Sequence, residues 1–238
     1  MKAEPPQNNY PAGNAAVTPV IPGIGLLHAD DSLLVLDKPA GLLSVPGRGE
    51  GKQDCLSARV QASFPDALIV HRLDQATSGL MLMARGAAMQ RALSRLFETR
   101  VVGKRYVAVV SGQLPLPAPG DADGGWGLID LPIIVDWPNR PLRIIDSEHG
   151  RPSQTRWRVL SHDVAANTTR VELEPITGRS HQLRVHLKAL GHPILGCALY
   201  APDAVHAASP RLLLHAAALQ FTHPASGLVM SFESPPGF

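Results

Sequence analysis

Cysteine is nearly absent from this chain of 238 residues, which holds only Cys55 and Cys197. Two thiols cannot build the disulfide framework of a small secreted domain, and their spacing suggests no metal clip. Both are expected to be reduced, in a cytosolic protein. Long apolar runs are missing too. The opening stretch MKAEPPQNNYPAGNAAV has no apolar segment of signal-peptide length, and no later window approaches the roughly 20 apolar residues of a membrane span. The expectation is a cytoplasmic protein that does not engage a membrane. Net charge is slight, +2, and does not by itself argue for a polyanionic partner. Lysine is scarce, 5 residues against 17 arginines, and guanidinium is the cation that binds phosphate bidentately and stacks on bases. Composition permits RNA binding without requiring it.

Several catalytic signatures are also lacking. GRGEGKQ at 47–53 has Pro46 where a phosphate-binding loop needs its first Gly and Gln53 where it needs Ser or Thr. No G-x-S-x-G elbow of a serine hydrolase occurs. Of the ten histidines, His181, His186 and His192 are spaced by five and six residues, not at the i, i+4 interval of a helix-borne zinc pair, and no acid-rich motif accompanies them. No metal or cofactor is expected.

What is present is a patterned globular sequence. With 45 % hydrophobic residues, the chain can bury one sizeable core. Residues 1–22 are rich in Pro, Asn and Ala without periodicity and are expected to form a flexible extension. From Ser32 the pattern reads strand SLLVLD, a Pro-Gly turn, a helix near 54–63, and a strand leading to His71. Residues 79–84, 87–99 and 105–110 read strand, helix, strand, which would bring Asp74 towards Tyr106 if the two strands pair in parallel. The helix carries its apolar stripe at Met89, Leu93, Leu96 and Phe97, with Arg91, Arg95 and Arg100 read as a solvated face or helix end. Residues 111–152, rich in Pro and Gly, read as an irregular excursion of the kind that often carries binding residues; Trp137 and Arg140 within it read equally as groups that stack on or grip RNA and as a buried tryptophan and a structural arginine. Strands near 153–162 and 168–175 lead to a helix over 180–190 ending at Gly191. The fold class is α+β, in a single domain over 23–238.

Two segments carry chemistry. His-Arg-Leu-Asp at 71–74 places one carboxylate, Asp74, between short apolar runs, where rigid elements can present it to a cleft. On the 180–190 helix, Leu183, Leu187 and Leu190 form a core-facing stripe. Arg184 flanks that stripe, and an arginine there needs an anionic partner, because an unpaired charge at a buried edge is costly.

Those residues lie in segments that resemble, in order, one family: DDSLLVLDKPAGLLSVPGR at 30–48, HRLDQATSG at 71–79, KRYVAVV at 104–110 and ITGRSHQLRVHLKALGHPILG at 176–196. The chain is thereby similar to the RluA family of pseudouridine synthases, which isomerise uridine within folded RNA. The resemblance implies the pseudouridine synthase fold, a mainly antiparallel central sheet with flanking helices and loops around a cleft. It implies Asp74 as the catalytic carboxylate, either attacking ribose C1′ or drawing the C2′ proton, with Arg184 as its ion-pair partner. Tyr106 would pack against the pyrimidine, its hydroxyl accepting in C5 deprotonation. Arg72 would fill the space left by the flipped base, His71 would brace the loop by hydrogen bonds, and Arg179 would meet phosphate.

Relatives often carry a small extra RNA-binding domain at the N-terminal end; residues 1–22 are too short and too little basic for one. VDWPNRP at 135–141 resembles a dual-specificity branch acting on a transfer RNA anticodon stem-loop and a loop of 23S ribosomal RNA. Those two structured RNAs are the implied partners, with no protein partner and a monomeric enzyme. Cys197 departs from the family pattern, where an Asp commonly follows the Gly, and reads as a local loop change that leaves the catalytic residues untouched. The rival reading is an RNA-binding or RNA-folding protein on the same scaffold without catalysis.

Overall fold

A computed structural model describes residues 20–117 and 125–238 of the chain. Its first strands are β1 (Gly25–Ala29), β2 (Leu33–Lys38), β3 (Ala67–Ile69), β4 (Ser78–Arg85), β5 (Gly103–Ser111) and β6 (Gly127–Asp130). A hairpin follows, β7 (Ile133–Val135) and β8 (Arg143–Ile145), then β9 (Gln154–Asp163), β10 (Thr168–Pro175), β11 (Leu214–Thr222) and β12 (Val229–Glu233). The helices are α1 (Leu56–Ser63), α2 (Ala87–Glu98), α3 (Gln182–Ala189) and α4 (Asp203–Ala207). Ten strands form one sheet in the order β1-β2-β4-β11-β5-β10-β9-β6, with β3 beside β4 and β12 beside β11. The fold is mixed α and β with a mostly antiparallel sheet, and β4–β11 is its parallel pair.

Burial explains the strand sequences. LLVLDK of β2 and SGLMLMAR of β4 are near-continuous apolar runs because both faces are covered. TTRVELEP of β10 alternates buried and half-buried positions because one face is open. Helix α2 closes one face of β4 with Leu93 fully buried and Met89, Leu96 and Phe97 packed around it. Helix α3 is buried on almost every side, including Gln182, Arg184 and His186. Its neighbours β8 and β10 flank it, so the single leucine stripe understates its burial.

The strands over 79–84 and 105–110 do not pair. β11 enters between them, parallel to β4 at Ser78–Gly79 and antiparallel to β5. A strand contributed from more than a hundred residues away takes the edge that sequential neighbours would have shared. Asp74 and Tyr106 still converge, because one rung crosses the sheet: Lys38 opposite Gly79, Gly79 opposite Ala216, Ala216 opposite Tyr106, Tyr106 opposite Leu173.

The extension expected over 1–22 lies outside the described residues up to residue 19; Ile21 is already in the core at 3 % exposure. Among the described residues, no helix is long and apolar enough to cross a membrane.

Gly79 is the tight point of the rung. Its φ is +110°, and a Cβ there would lie 2.4 Å from the Ala216 carbonyl oxygen. Gly79→Ala should therefore cost about 3 kcal/mol or more, strain plus overlap. Gly227→Ala, at φ +72° with open space around it, should cost only about 1 kcal/mol. Urea unfolding of both variants checks the difference, and equal midpoints would show that the close approach is not what demands glycine.

Candidate active site

Asp74 sits on the segment between β3 and β4, and both of its neighbours are fastened to the loop after β2. Ser44 Oγ donates to the Leu73 carbonyl at 2.7 Å, and the Leu73 amide donates back at 3.2 Å. The Gly41 amide donates to the Gln75 carbonyl at 2.9 Å. Beneath them Lys38 is fully buried. Its ammonium donates to the carbonyls of Pro39, Leu42 and Gln75 at 2.9, 2.8 and 3.1 Å. Burial pulls this lysine down to about 8, against the Asp74 charge, which holds it up. The segment DKPAGLLS thus works as a clamp on the Asp74 backbone, a role its sequence does not reveal.

The carboxylate faces α3. Asp74 Oδ2 accepts from Arg184 Nη1 at 3.3 Å and lies 3.8 Å from His181 Nε2. Arg184 is 5 % exposed, and its remaining surface is occupied: Nε donates to Cys197 Sγ at 3.4 Å, and the guanidinium lies 5.1 Å from the Tyr200 ring centroid. Cys197 is therefore in direct contact with the arginine of the site, which corrects its reading as a local loop change. The spacing of 184 and 197 gives no hint of this, because Gly191 and the turn after it fold the chain back over α3.

His181, whose sequence spacing excludes a helix-borne zinc pair and suggests no other role, faces Asp74. The residue precedes α3 in the left-handed region, φ +59°. Its Nδ1 is 2.6 Å from Tyr200 Oη, and that oxygen also accepts the Arg143 amide at 3.0 Å. With the Arg143 amide on its oxygen, the Tyr200 hydroxyl can donate to Nδ1, and in that tautomer Nε2 carries the imidazole proton on the side of Asp74, 3.8 Å away. Burial pushes this histidine below its ordinary range, while the Asp74 charge opposes that shift. The other two histidines go elsewhere: His186 bonds to Thr155 Oγ1 and the Leu131 carbonyl, and His192 to the Ser111 carbonyl.

A cavity of about 120 Å³ opens on Asp74 and is lined also by Arg72, Tyr106, Arg179, His181 and Arg184. Tyr106 forms part of its wall and packs against two of the three apolar clusters. Burial, and then the Asp74 charge, push its hydroxyl well above the usual phenol range, so it stays protonated. Arg72 is exposed, at the mouth. Arg179 borders this cavity and a groove that runs to Trp137, Arg143 and Arg151. Trp137 and Arg140 stand apart from the carboxylate, at the tip of the β7–β8 hairpin. Trp137 is 63 % exposed with the Arg140 guanidinium 4.4 Å from its ring centroid, a stacked pair facing solvent.

His71 lies behind the cavity. Its Nε2 accepts the Leu82 amide at 2.9 Å, and its ring stacks on Phe97 with centroids 4.3 Å apart. It therefore braces β4 and α2 as a neutral ring. Burial, with the Lys104 charge adding to it, drops it to about 3. Because the unfolded chain binds this proton near pH 6.5 and the folded chain does not, the stability it contributes is complete above pH 6.5. It is lost as pH falls from 6.5 towards 3, on the order of 4 kcal/mol in all. His71→Asn, whose side-chain oxygen can still accept the Leu82 amide, should flatten that part of the curve. Chemical denaturation between pH 4 and 7 measures it, and parallel curves for the two proteins would refute the assignment.

The family model for RNA pseudouridylate synthase matches residues 32–189. The chain is 50 % identical over 220 residues to the dual-specificity RNA pseudouridine synthase RluA of Escherichia coli, covering 92 % of this chain and 96 % of that one. It is 46 % identical over 223 residues to the protein of the same name from Vibrio vulnificus, covering 92 % and 86 %. Among solved structures it superposes on human RNA pseudouridylate synthase domain containing 1 with a TM-score of 0.71 and 27 % identity, over 94 % of this chain and 87 % of that one. With its fold, its clamped carboxylate and the order of its motifs agreeing, this chain belongs to the RNA pseudouridine synthase family, in the RluA branch.

Proposed function

We propose that this protein converts looped uridines to pseudouridine in two structured RNAs, a transfer RNA anticodon stem-loop and a loop of 23S ribosomal RNA, without a cofactor. The observation that carries the reading is Asp74, clamped through its backbone and faced by Arg184 and His181 at the end of a cavity walled by Tyr106. The small cavity suits a base that has left its stack, an extrusion that costs least in a loop. Arg72 at the mouth is placed to take the vacated position in the RNA. The dual-specificity name of the RluA relatives supports two substrates, and the exposed Trp137 and Arg140 offer a stacking surface to the RNA around the target.

The reaction breaks the bond from ribose C1′ to uracil N1, turns the base and joins C5 to C1′. Asp74 serves it either by bonding to C1′ or by taking the C2′ proton. Arg184 and the Nε2 proton of His181 hold the carboxylate in place, which is electrostatic preorganisation and needs no reorganisation during turnover. A protonated Tyr106 is no standing base, so it works as a relay, its oxygen taking the C5 proton as its own hydroxyl proton passes to the Asp74 carboxylate; the freed N1 takes up one proton in exchange, directly or through solvent, so Asp74 returns to its carboxylate and product and substrate stay isomers. The site lies within one chain, which supports a monomer, and RNA substrates of these two kinds fit a cytoplasmic enzyme.

Purified protein, incubated without metal or nucleotide with a transcribed anticodon stem-loop and a 23S fragment, should modify both, as mapped by carbodiimide labelling and primer extension. Asp74→Asn should lose roughly 10²–10⁴-fold or more in single-turnover rate while keeping loop affinity. An Asp74→Asn enzyme with wild-type turnover would sink the assignment, and binding without modification by the wild type would favour the non-catalytic scaffold.

Tyr200→Phe keeps the ring against Arg184 but removes the hydroxyl that fixes His181. It should lower kcat about tenfold with KM unchanged, and its effect should vanish in a His181→Ala background. Additive effects of the two substitutions would separate Tyr200 from His181.

A further inference from the structure

On the side of Tyr106 towards α2 lies a second cavity of about 420 Å³, lined by His71, Arg72, Phe97, Arg100, Lys104 and Arg179 among others. Four of its lining residues are permanent or near-permanent cations, and Glu98 is the only acid among them. Among the described residues, Arg72, Arg100, Lys104 and Arg179 form no ion pair with any carboxylate, which they share with scattered exposed arginines such as Arg91 and Arg95, but these four converge on one cavity. His71 adds no charge, being neutral and committed to Leu82. Clustering like charges without counter-charge is unfavourable, the more so where Lys104 is half-buried.

The backbone at Arg100 is a second, independent sign. Helix α2 ends at its cap Thr99, and Arg100 follows in the left-handed region at φ +61°. Glycine is the usual occupant of that position, because a side chain there costs of order 1 kcal/mol. Here the strained position carries an arginine, and that residue lines the cavity.

We propose that this cavity is a phosphate subsite, in which Arg100 and Lys104, with Arg72 and Arg179 at the border of the catalytic cavity, hold the RNA backbone beside the extruded uridine. The proposal rests on the reading of the neighbouring cleft as a pseudouridine synthase site. Burial and the nearby Arg100 charge hold the Lys104 ammonium below its ordinary range. A phosphodiester supplies the missing counter-charge. Lys104 and Tyr106 are two residues apart on one face of β5, so a phosphate on the lysine fixes its nucleotide against the tyrosine that walls the catalytic cavity.

The test is binding of an anticodon stem-loop RNA to Lys104→Met, Lys104→Arg and Arg100→Gln by fluorescence anisotropy across a salt series. It is paired with a scan in which single loop phosphates are replaced by neutral methylphosphonates. Lys104→Met and Arg100→Gln should each weaken binding about tenfold and reduce the salt slope by about 0.7, with Lys104→Arg near wild type. One methylphosphonate position should weaken wild-type binding and have no further effect on Lys104→Met. Arg91→Gln, on the exposed side of α2, should bind as wild type. Unchanged affinity and slope in both charge-removing variants, or a methylphosphonate profile for Lys104→Met that parallels the wild type, would overturn the subsite. Wild-type protein that binds the loop but makes no pseudouridine would instead fail the parent reading, and the binding data would still decide the subsite. Thermal melting of Lys104→Met guards against misfolding at that half-buried position, and Arg100→Gln, which changes an exposed residue, tests the subsite without that risk.

Discussion

Two residues of β4, Ser78 and Gly79, run beside two of β11, His215 and Ala216, and this short parallel junction holds the two halves of the sheet together. On one side lie β1, β2 and β3, on the other β5, β6, β9, β10 and β12. So short a pairing supplies few backbone hydrogen bonds, and a buried polar chain reinforces it. Ser78 Oγ meets His215 Nδ1, His215 Nε2 meets Ser234, and Ser234 Oγ donates to Asp37 on β2. The Asp74 carboxylate lies four residues before this junction, and Tyr106 stands across β11 from it. Anything that shifts the seam therefore moves both groups at once.

The buried guanidinium of Arg184 is the electrostatic counterpart of that seam. An arginine at 5 % exposure is tolerable only if its charge and its donors are met, and here three different groups meet them: the Asp74 carboxylate, the Cys197 sulfur and the face of Tyr200. A thiol is a weak acceptor. With Cys197 at Nε, no second carboxylate competes with Asp74 for the same cation. Tyr200 serves twice, its ring on the arginine and its hydroxyl on His181, so the orientation of both groups that face Asp74 depends on one side chain.

Much of this was legible in the sequence because it depends on local pattern. Helices α1, α2 and α3 follow from apolar spacing and from Gly191 as a stop, and β9 and β10 from alternation. Asp74 and Arg184 could be singled out as a presented acid and a charge needing a partner, and the resemblance joined them. What could not be read depends on contacts far apart in the chain. β11, with its run of small residues LHAAALQFT, takes its place only through its neighbours β4 and β5. Lys38 looks like any strand-end lysine until three carbonyls surround it. His181 and Cys197 gain their roles from the fold that returns the chain over α3. Trp137, equally readable as buried or exposed, is exposed because the hairpin that bears it pairs with itself and not with the main sheet.

The net charge of +2 said little because it averages over two populations of cations. On the open face of the sheet, Arg105 and Arg158 share Glu172, Arg156 takes Glu174, and all three surround the Trp126 ring at 4.7 to 5.2 Å. Those charges are spent within the protein, and their cation–π contacts add cohesion, not affinity. Around the catalytic cleft the pattern reverses. Arg72, Arg100, Lys104 and Arg179 border two neighbouring cavities, and among the described residues no carboxylate pairs with any of them. A chain of modest overall charge thus presents a concentrated positive field where Asp74 waits, and the repulsion stored there is relieved when a polyanion enters. In the proposed reading, affinity for the RNA backbone and placement of the base against Asp74 both follow from this one distribution of charge.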